Sequence, residues 1–151
     1  MARQLQTFSN QFPIVLRQEV IWGDMDTFEH VNNTVYFRYF EDARLKFFEA
    51  VGILEHKAAS GIGPILASTH CNFKLPLKYP DTVQIGGRAT IVSPKKIQME
   101  YAVYSEGLSA LVAEGEGLLV YYNYNNQRSC EIPESIITAI EDLSKSIPSL
   151  G

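Results

Sequence analysis

The segment Thr34-Val-Tyr-Phe-Arg-Tyr-Phe-Glu-Asp-Ala-Arg-Leu-Lys-Phe-Phe-Glu-Ala-Val51 decides the fold, because here the apolar pattern shifts to a helical period and holds it for several turns. Tyr36, Phe40, Ala43, Phe47 and Ala50 recur three and four residues apart and predict one apolar stripe. Arg38, Glu41, Asp42, Lys46 and Glu49 fall on other faces, and Gly52 stands where a helix-ending glycine would. Phe37, Leu45 and Phe48 form a second apolar flank, so the helix is expected to be covered on more than one side.

Both directions outward from this helix read as strand. Upstream, residues 13 to 22 are rich in β-branched and aromatic side chains, and the polar stretch Gly23 to Asn33 follows. Downstream, His56 to Gly63 reads as a connector and Ile65 to Phe73 as a strand. From Thr82 to Ile91 the residues Val83, Ile85, Ala89 and Ile91 face one way and Thr82, Gln84, Arg88 and Thr90 the other. Ser93-Pro94-Lys95-Lys96 is a turn signal, after which Ile97, Met99, Tyr101 and Val103 alternate with Gln98, Glu100 and Tyr104. Ser105-Glu106-Gly107 turns the chain again into a strand from Ser109 to Tyr122, and Pro133 to Leu143 reads as a short closing helix with Ile136, Ile137 and Ile140 on its apolar side. The order is strand, long helix, then four strands in hairpin succession. An antiparallel sheet with one apolar face needs a cover, so the expected class is α+β, a curved antiparallel sheet wrapped around one long central helix.

With 151 residues the chain fits a single domain, 1–151, with no linker or repeat to divide it. Hydrophobic residues make up 46% and charged residues 20%, and no run approaches the roughly 18 consecutive apolar residues of a membrane span. Thirteen Lys and Arg against seventeen Asp and Glu leave a net charge of -4, which disfavours nucleic acid and anionic membranes as partners. The average hides a basic segment, since residues 74 to 96 carry Lys74, Lys78, Arg88, Lys95 and Lys96 against Asp81 alone. Met1-Ala2-Arg3-Gln4-Leu5-Gln6 has no apolar signal core, so a cytoplasmic location is expected. Cys71 and Cys130 lack metal-site or disulfide spacing and are expected to be reduced packing residues; His30, His56 and His70 likewise predict no metal site.

The residues best suited to chemistry immediately precede the helix: Trp22-Gly23-Asp24-Met25-Asp26-Thr27-Phe28-Glu29-His30-Val31-Asn32-Asn33. Two carboxylates, a histidine and two asparagines converge on a helix N-terminus, which presents unpaired N–H groups and partial positive charge. Such a terminus can polarise a developing oxyanion while a nearby carboxylate acts as nucleophile or general base. The same residue types also serve simple helix capping, and Glu41 with Arg44 one turn later can be a solvated pair.

The pattern Asp24-x-Asp26-x-x-x-His30-Val31-Asn32-Asn33-x-x-Tyr36-x-x-Tyr39-x-Glu41-x-Ala43-Arg44 closely resembles the signature of hotdog-fold acyl thioesterases, in the branch containing 4-hydroxybenzoyl-CoA thioesterase and related acyl-CoA and acyl-carrier-protein hydrolases. Phe73-Lys74-Leu75-Pro76-Leu77-Lys78-Tyr79-Pro80-Asp81 resembles that family's segment between its second and third strands, and Ile132-Pro133-Glu134 the entry to its last helix. The resemblance implies that Asp26 is the catalytic carboxylate, attacking the thioester carbonyl directly or activating a water, and that the Asn33 backbone N–H polarises the carbonyl. His30 joins them in the catalytic motif, in its His-Val-Asn-Asn form, with Asn32, Tyr36 and Glu41 in support. Glu41 is a candidate to hold water or orient the loop, or else a structural partner of Arg44.

The resemblance further implies an acyl-CoA or acyl-carrier-protein substrate, no cofactor, and a site between subunits of a homodimer or a dimer-of-dimers homotetramer. Lys95, Lys96 and Arg128 are the candidates for binding coenzyme A phosphates, because turns and strand ends at the sheet's mouth can reach an external nucleotide. A hotdog enoyl-thioester hydratase or dehydratase and a noncatalytic acyl-CoA-binding module are the alternatives.

Overall fold

The computed structural model describes residues 2–146. In chain order the elements are α1 (Ala2–Ser9), β1 (Ile14–Glu19), α2 (Asn33–Ala50), α3 (Ile53–Ser60), β2 (Ile62–Phe73), β3 (Thr82–Ser93), β4 (Lys96–Ser105), β5 (Ala110–Asn123), β6 (Arg128–Ser129) and α4 (Glu134–Lys145). A single antiparallel sheet runs β1-β3-β4-β5-β2, with the short β6 attached to β5.

The helix expected over residues 34 to 51 is α2, and it packs against the sheet through Val35, Tyr36, Tyr39, Phe40, Ala43, Phe47 and Phe48. The stripe is rotated slightly from the expected one, since Ala50 and Leu45 are exposed whereas Tyr39 and Phe48 are buried. Close approach of α2 depends on β5: a Cβ at Gly115 would lie 2.3 Å from the Phe40 ring, which stacks on Tyr101 with centroids 4.7 Å apart. Ile85, Ile97, Met99, Val103, Leu119 and Tyr121 complete this core, and α4 adds Ile136 and Ile140. A curved antiparallel sheet around one long helix is the expected α+β hotdog arrangement.

Three local expectations are corrected. The four strands after α2 are not successive hairpins: β2 pairs with β5, from Ile62 opposite Asn123 to Phe73 opposite Ala113, and so lies at the sheet edge, far from β3. The connector begins with a helix, α3, bracketed by Gly52 (φ 82°) and Gly61 (φ 75°), left-handed conformations that glycine adopts without steric cost. Only Ile53 of α3 is buried, so α3 has no apolar stripe to reveal it in the sequence. Tyr104, expected on a polar face, is buried because Phe8 and Phe12 cover Ala102 and Tyr104 on the side of the sheet away from α2. Gly86 admits this cover, since a Cβ there would lie 2.5 Å from the Phe12 ring.

Candidate active site

The end of β1 is tied to the start of β3 by the Val20 N–H, which donates to the Asp81 carbonyl at 2.9 Å. A 3-10 turn over Trp22–Asp24 then reverses the chain into a tight loop. Asp26 N–H donates to the His30 carbonyl and Glu29 N–H to the Asp26 carbonyl, both at 2.9 Å, while Glu29 adopts φ 64°. The Phe28 N–H donates to Asp26 Oδ1 at 2.9 Å, which orients the carboxylate from within its own turn. Two further bonds hold the loop: Asn32 N–H to the Asp24 carbonyl at 3.0 Å and Val31 N–H to the Leu77 carbonyl at 2.8 Å. The segment after β2 is thereby fixed against the loop, and Leu77 is fully buried beneath it.

Asn32 is the N-cap of α2. Its Oδ1 accepts from the Thr34 N–H at 3.0 Å and the Thr34 hydroxyl at 2.7 Å. The Val35 N–H donates to the Asn32 carbonyl at 3.0 Å. Among the described residues nothing accepts from the Asn33 N–H, which leaves one donor at the positive end of the helix unspent. The Asn32 side chain is thus the cap, and the adjacent Asn33 amide is left without an acceptor among the described residues.

Asp26, His30, Asn33 and Tyr36 line one open cleft of about 370 Å³, walled by Val31, Phe73, Lys74, Leu75, Pro76 and Leu77. Asp26 Oδ2 has no partner among the described residues, so one carboxylate oxygen is available to an electrophile or a water. Tyr36 meets Phe73 edge-on with centroids 5.0 Å apart, and burial pushes its phenol up to about 12, so it remains a neutral hydroxyl at working pH. Beside it, burial raises the free thiol of Cys71 to about 11, which makes it a packing group rather than a nucleophile. One side of the cleft thus has mainly aromatic and aliphatic walls, with Lys74 among them, and Asp26, His30 and Asn33 gather at the start of α2.

The remaining predicted residues lie elsewhere in the chain. Glu41 is eight residues along α2 from Asn33, about 12 Å at helical rise, in a separate depression with Phe37, Arg38, Arg44, Leu66 and Thr69. Arg44 donates to the Tyr101 hydroxyl at 3.1 Å and forms no salt bridge with Glu41. Lys96 pairs with Val120, itself opposite Ile65, and Arg128 pairs with Asn123, itself opposite Ile62. The cleft meets β2 at Phe73, eight positions beyond Ile65 and eleven beyond Ile62, so Lys96 and Arg128 lie about 26 Å and about 36 Å along the strand from that end of the cleft. A contact absent from the motif is Arg38, which pairs with Asp24 at 2.5 Å. Its signal in the sequence was only that of one more charge on a solvated helix face.

No helix among the described residues is long and apolar enough to cross a membrane. The model of a family described as the thioesterase-like superfamily matches residues 20–140. A solved Pseudomonas aeruginosa structure, provisionally titled a thioesterase, has a TM-score of 0.75 and 33% identity, covering 86% of this chain and 99% of its own. A Thermus thermophilus thioesterase solved with coenzyme A and zinc has a TM-score of 0.78 and 27% identity, covering 89% and 96%. A chloroplastic acyl-acyl carrier protein thioesterase of Arabidopsis thaliana is 28% identical over 114 residues, 75% of this chain and 60% of that relative.

Proposed function

This chain belongs to the thioesterase-like superfamily, and from that premise we propose that it hydrolyses an acyl-CoA or acyl-carrier-protein thioester to a free acid and a thiol. The observation that carries the reading is the shared cleft: the free oxygen of Asp26 and the unspent N–H of Asn33 open onto the same space beside an apolar wall.

The carbonyl oxygen of the thioester accepts from the Asn33 N–H, where the dipole of α2 adds to the polarisation. Asp26 Oδ2 then either adds to the carbonyl carbon or removes a proton from a water that adds to it. In the first route the tetrahedral intermediate expels the thiolate and leaves an acyl–Asp26 anhydride, which water cleaves to the acid and the regenerated carboxylate. In the second the intermediate expels the thiolate directly, and the proton taken by Asp26 passes to the leaving sulfur. A thioester is electrophilic enough that one carboxylate and one aimed donor account for catalysis. A donor of this kind is worth about 10²- to 10³-fold in rate.

The active unit is a homodimer formed through β2. Its outer edge has no neighbouring strand among the described residues, and Ile65 and Leu66 are 43% and 39% exposed along it. Antiparallel pairing of two such edges about the strand's middle sets Phe73 of one copy beside Ile62 of the other. That brings Lys95, Lys96 and Arg128 of the second copy to the mouth of the first copy's Asp26 cleft, where they meet the phosphates of the thiol carrier. Two such dimers can associate further into a tetramer. The unpaired thiols of Cys71 and Cys130 suit a reducing, cytoplasmic setting.

The test is a thiol-release screen of the purified protein against aliphatic and aromatic CoA esters and an acyl-carrier protein. Release of free thiol with at least one class supports the reading. Binding without release, or gain and loss of enoyl-thioester absorbance instead, overturns it.

A further inference from the structure

Arg38 projects from the second turn of α2 and its guanidinium meets Asp24 Oδ2 at 2.5 Å, with the Asp24 side chain only 15% exposed. Asp24 stands two residues before Asp26, where the chain leaves the 3-10 turn. From Asp26 to His30 the loop is bonded mainly to itself, through Asp26 to His30, Glu29 to Asp26 and Phe28 to the Asp26 carboxylate. Such a self-closed loop moves as a unit, so the position of its carboxylate depends on the attachments at its base. These are the Asn32 N–H to the Asp24 carbonyl, which with the Asp26 to His30 bond forms the Met25–Val31 bridge, the Val31 N–H to the Leu77 carbonyl, and Arg38. Of the three, only Arg38 joins the approach to Asp26 to the body of α2, five residues beyond the Asn33 amide.

We propose that Arg38 is a positioning residue for the hydrolysis, bracing Asp24 so that the Asp26 carboxylate keeps its place relative to the Asn33 N–H. The proposal rests on the thioesterase reading for its kinetic consequence, and on the loop's geometry alone for its structural one. Tyr39, the next residue of α2, closes the inner side of the pair. It is 2% exposed, its hydroxyl has no hydrogen-bond partner among the described residues, and burial together with the Asp24 charge keeps it protonated. Two scales then separate a brace from an ordinary surface pair. An ion pair with a half-exposed arginine adds little to global stability, whereas displacing a catalytic group by about 1 Å costs about 10²-fold in rate.

The experiment uses the full chain with Arg38→Met and Arg38→Lys, and follows amide hydrogen exchange of residues 24 to 32 alongside thiol release. For Arg38→Met the brace predicts roughly tenfold or faster exchange at the Asp26 and Asn32 amides and kcat lower by about 10- to 10²-fold at nearly constant KM. The melting temperature stays within about 3 °C of the parent. Arg38→Lys recovers most of both properties, because a cation at the same place restores the pair. Unchanged loop exchange in Arg38→Met overturns the proposal, as does exchange that accelerates equally across the sheet, which would make the pair a contributor to global stability only. If the parent chain released no thiol, the exchange result would still decide whether Arg38 braces the loop, and the hydrolase reading would fall by itself.

Discussion

Two crippled variants of this protein will restore activity when mixed within one dimer. The first is Asp26→Asn, which removes the reacting carboxylate. The second replaces Lys95, Lys96 and Arg128 by Ala, which removes the basic side chains about 26 to 36 Å along β2 from the cleft's Phe73 end. Each of the three cations contributes about 1 kcal/mol at an exposed phosphate, near the top of the range for surface pairs, so the triple variant loses about 3 kcal/mol, or about 10²-fold in kcat/KM. When the two chains are co-expressed in equal amounts, half of the dimers are hybrids, and each hybrid rebuilds one of its two sites from an intact Asp26 and an intact cluster on the other copy. Thiol release below KM by the purified hybrids then recovers to about one half of the unsubstituted protein's rate, and to about one quarter in the unfractionated mixture, against roughly 1% for either variant alone. The assay is continuous detection of free thiol on doubly tagged, co-purified hybrids. If each site were built from a single chain, no hybrid would contain a complete one, and activity in the hybrid no higher than the mean of the two parents would refute the shared site.

Gly115→Ala presses a methyl group into the Phe40 ring at 2.3 Å and the His70 carbonyl at 2.6 Å. It will cost about 1–3 kcal/mol of stability by chemical denaturation, the range for overpacking a core. Asn32→Ala removes the acceptor of the Thr34 N–H and hydroxyl and will cost about 1 kcal/mol in the same measurement, with a further loss in kcat as the start of α2 loosens around the Asn33 amide. Burial raises the Cys71 thiol from 9.0 to about 11, so at pH 8 its thiolate fraction falls about 10²-fold. Its labelling by a thiol reagent will be slower than in the unfolded chain by at least that factor and will rise about tenfold per pH unit up to pH 10. Rapid labelling of native Cys71 at pH 8 would contradict the burial.

The main elements are legible in the sequence wherever one side chain in two or four meets the core. Tyr36, Phe40, Ala43 and Phe47 mark α2, and Ile97, Met99, Tyr101 and Val103 mark β4, since each stripe faces a single layer. Legibility fails where burial is shared or nonlocal. Tyr104 reads as a polar-face residue because its cover, Phe8 and Phe12, comes from the far end of the chain. α3 buries Ile53 alone and leaves no periodic trace. The pairing of β2 with β5 is set by contacts some fifty residues apart, such as Ile65 with Val120, which no local pattern encodes. At the site, the loop motif placed Asp26, His30, Asn33 and Tyr36 together because all lie within a dozen residues around one helix start. Lys95, Lys96 and Arg128 stand out in the sequence by charge, and their distance from Asp26 within one chain follows from a sheet order that charge cannot reveal. Arg38 is invisible for a related reason: its partner Asp24 is fourteen residues away, across a reversal of the chain.

The most direct test of the central claim is the rate of thiol release by Asp26→Asn. The substituted amide oxygen can still accept from the Phe28 N–H that orients Asp26, so the loop keeps its turn while the reacting carboxylate is gone. With folding verified by melting temperature and amide exchange, the account predicts a fall in kcat of about 10²- to 10⁴-fold at similar KM. A folded Asp26→Asn protein that releases thiol at the parent rate would contradict it.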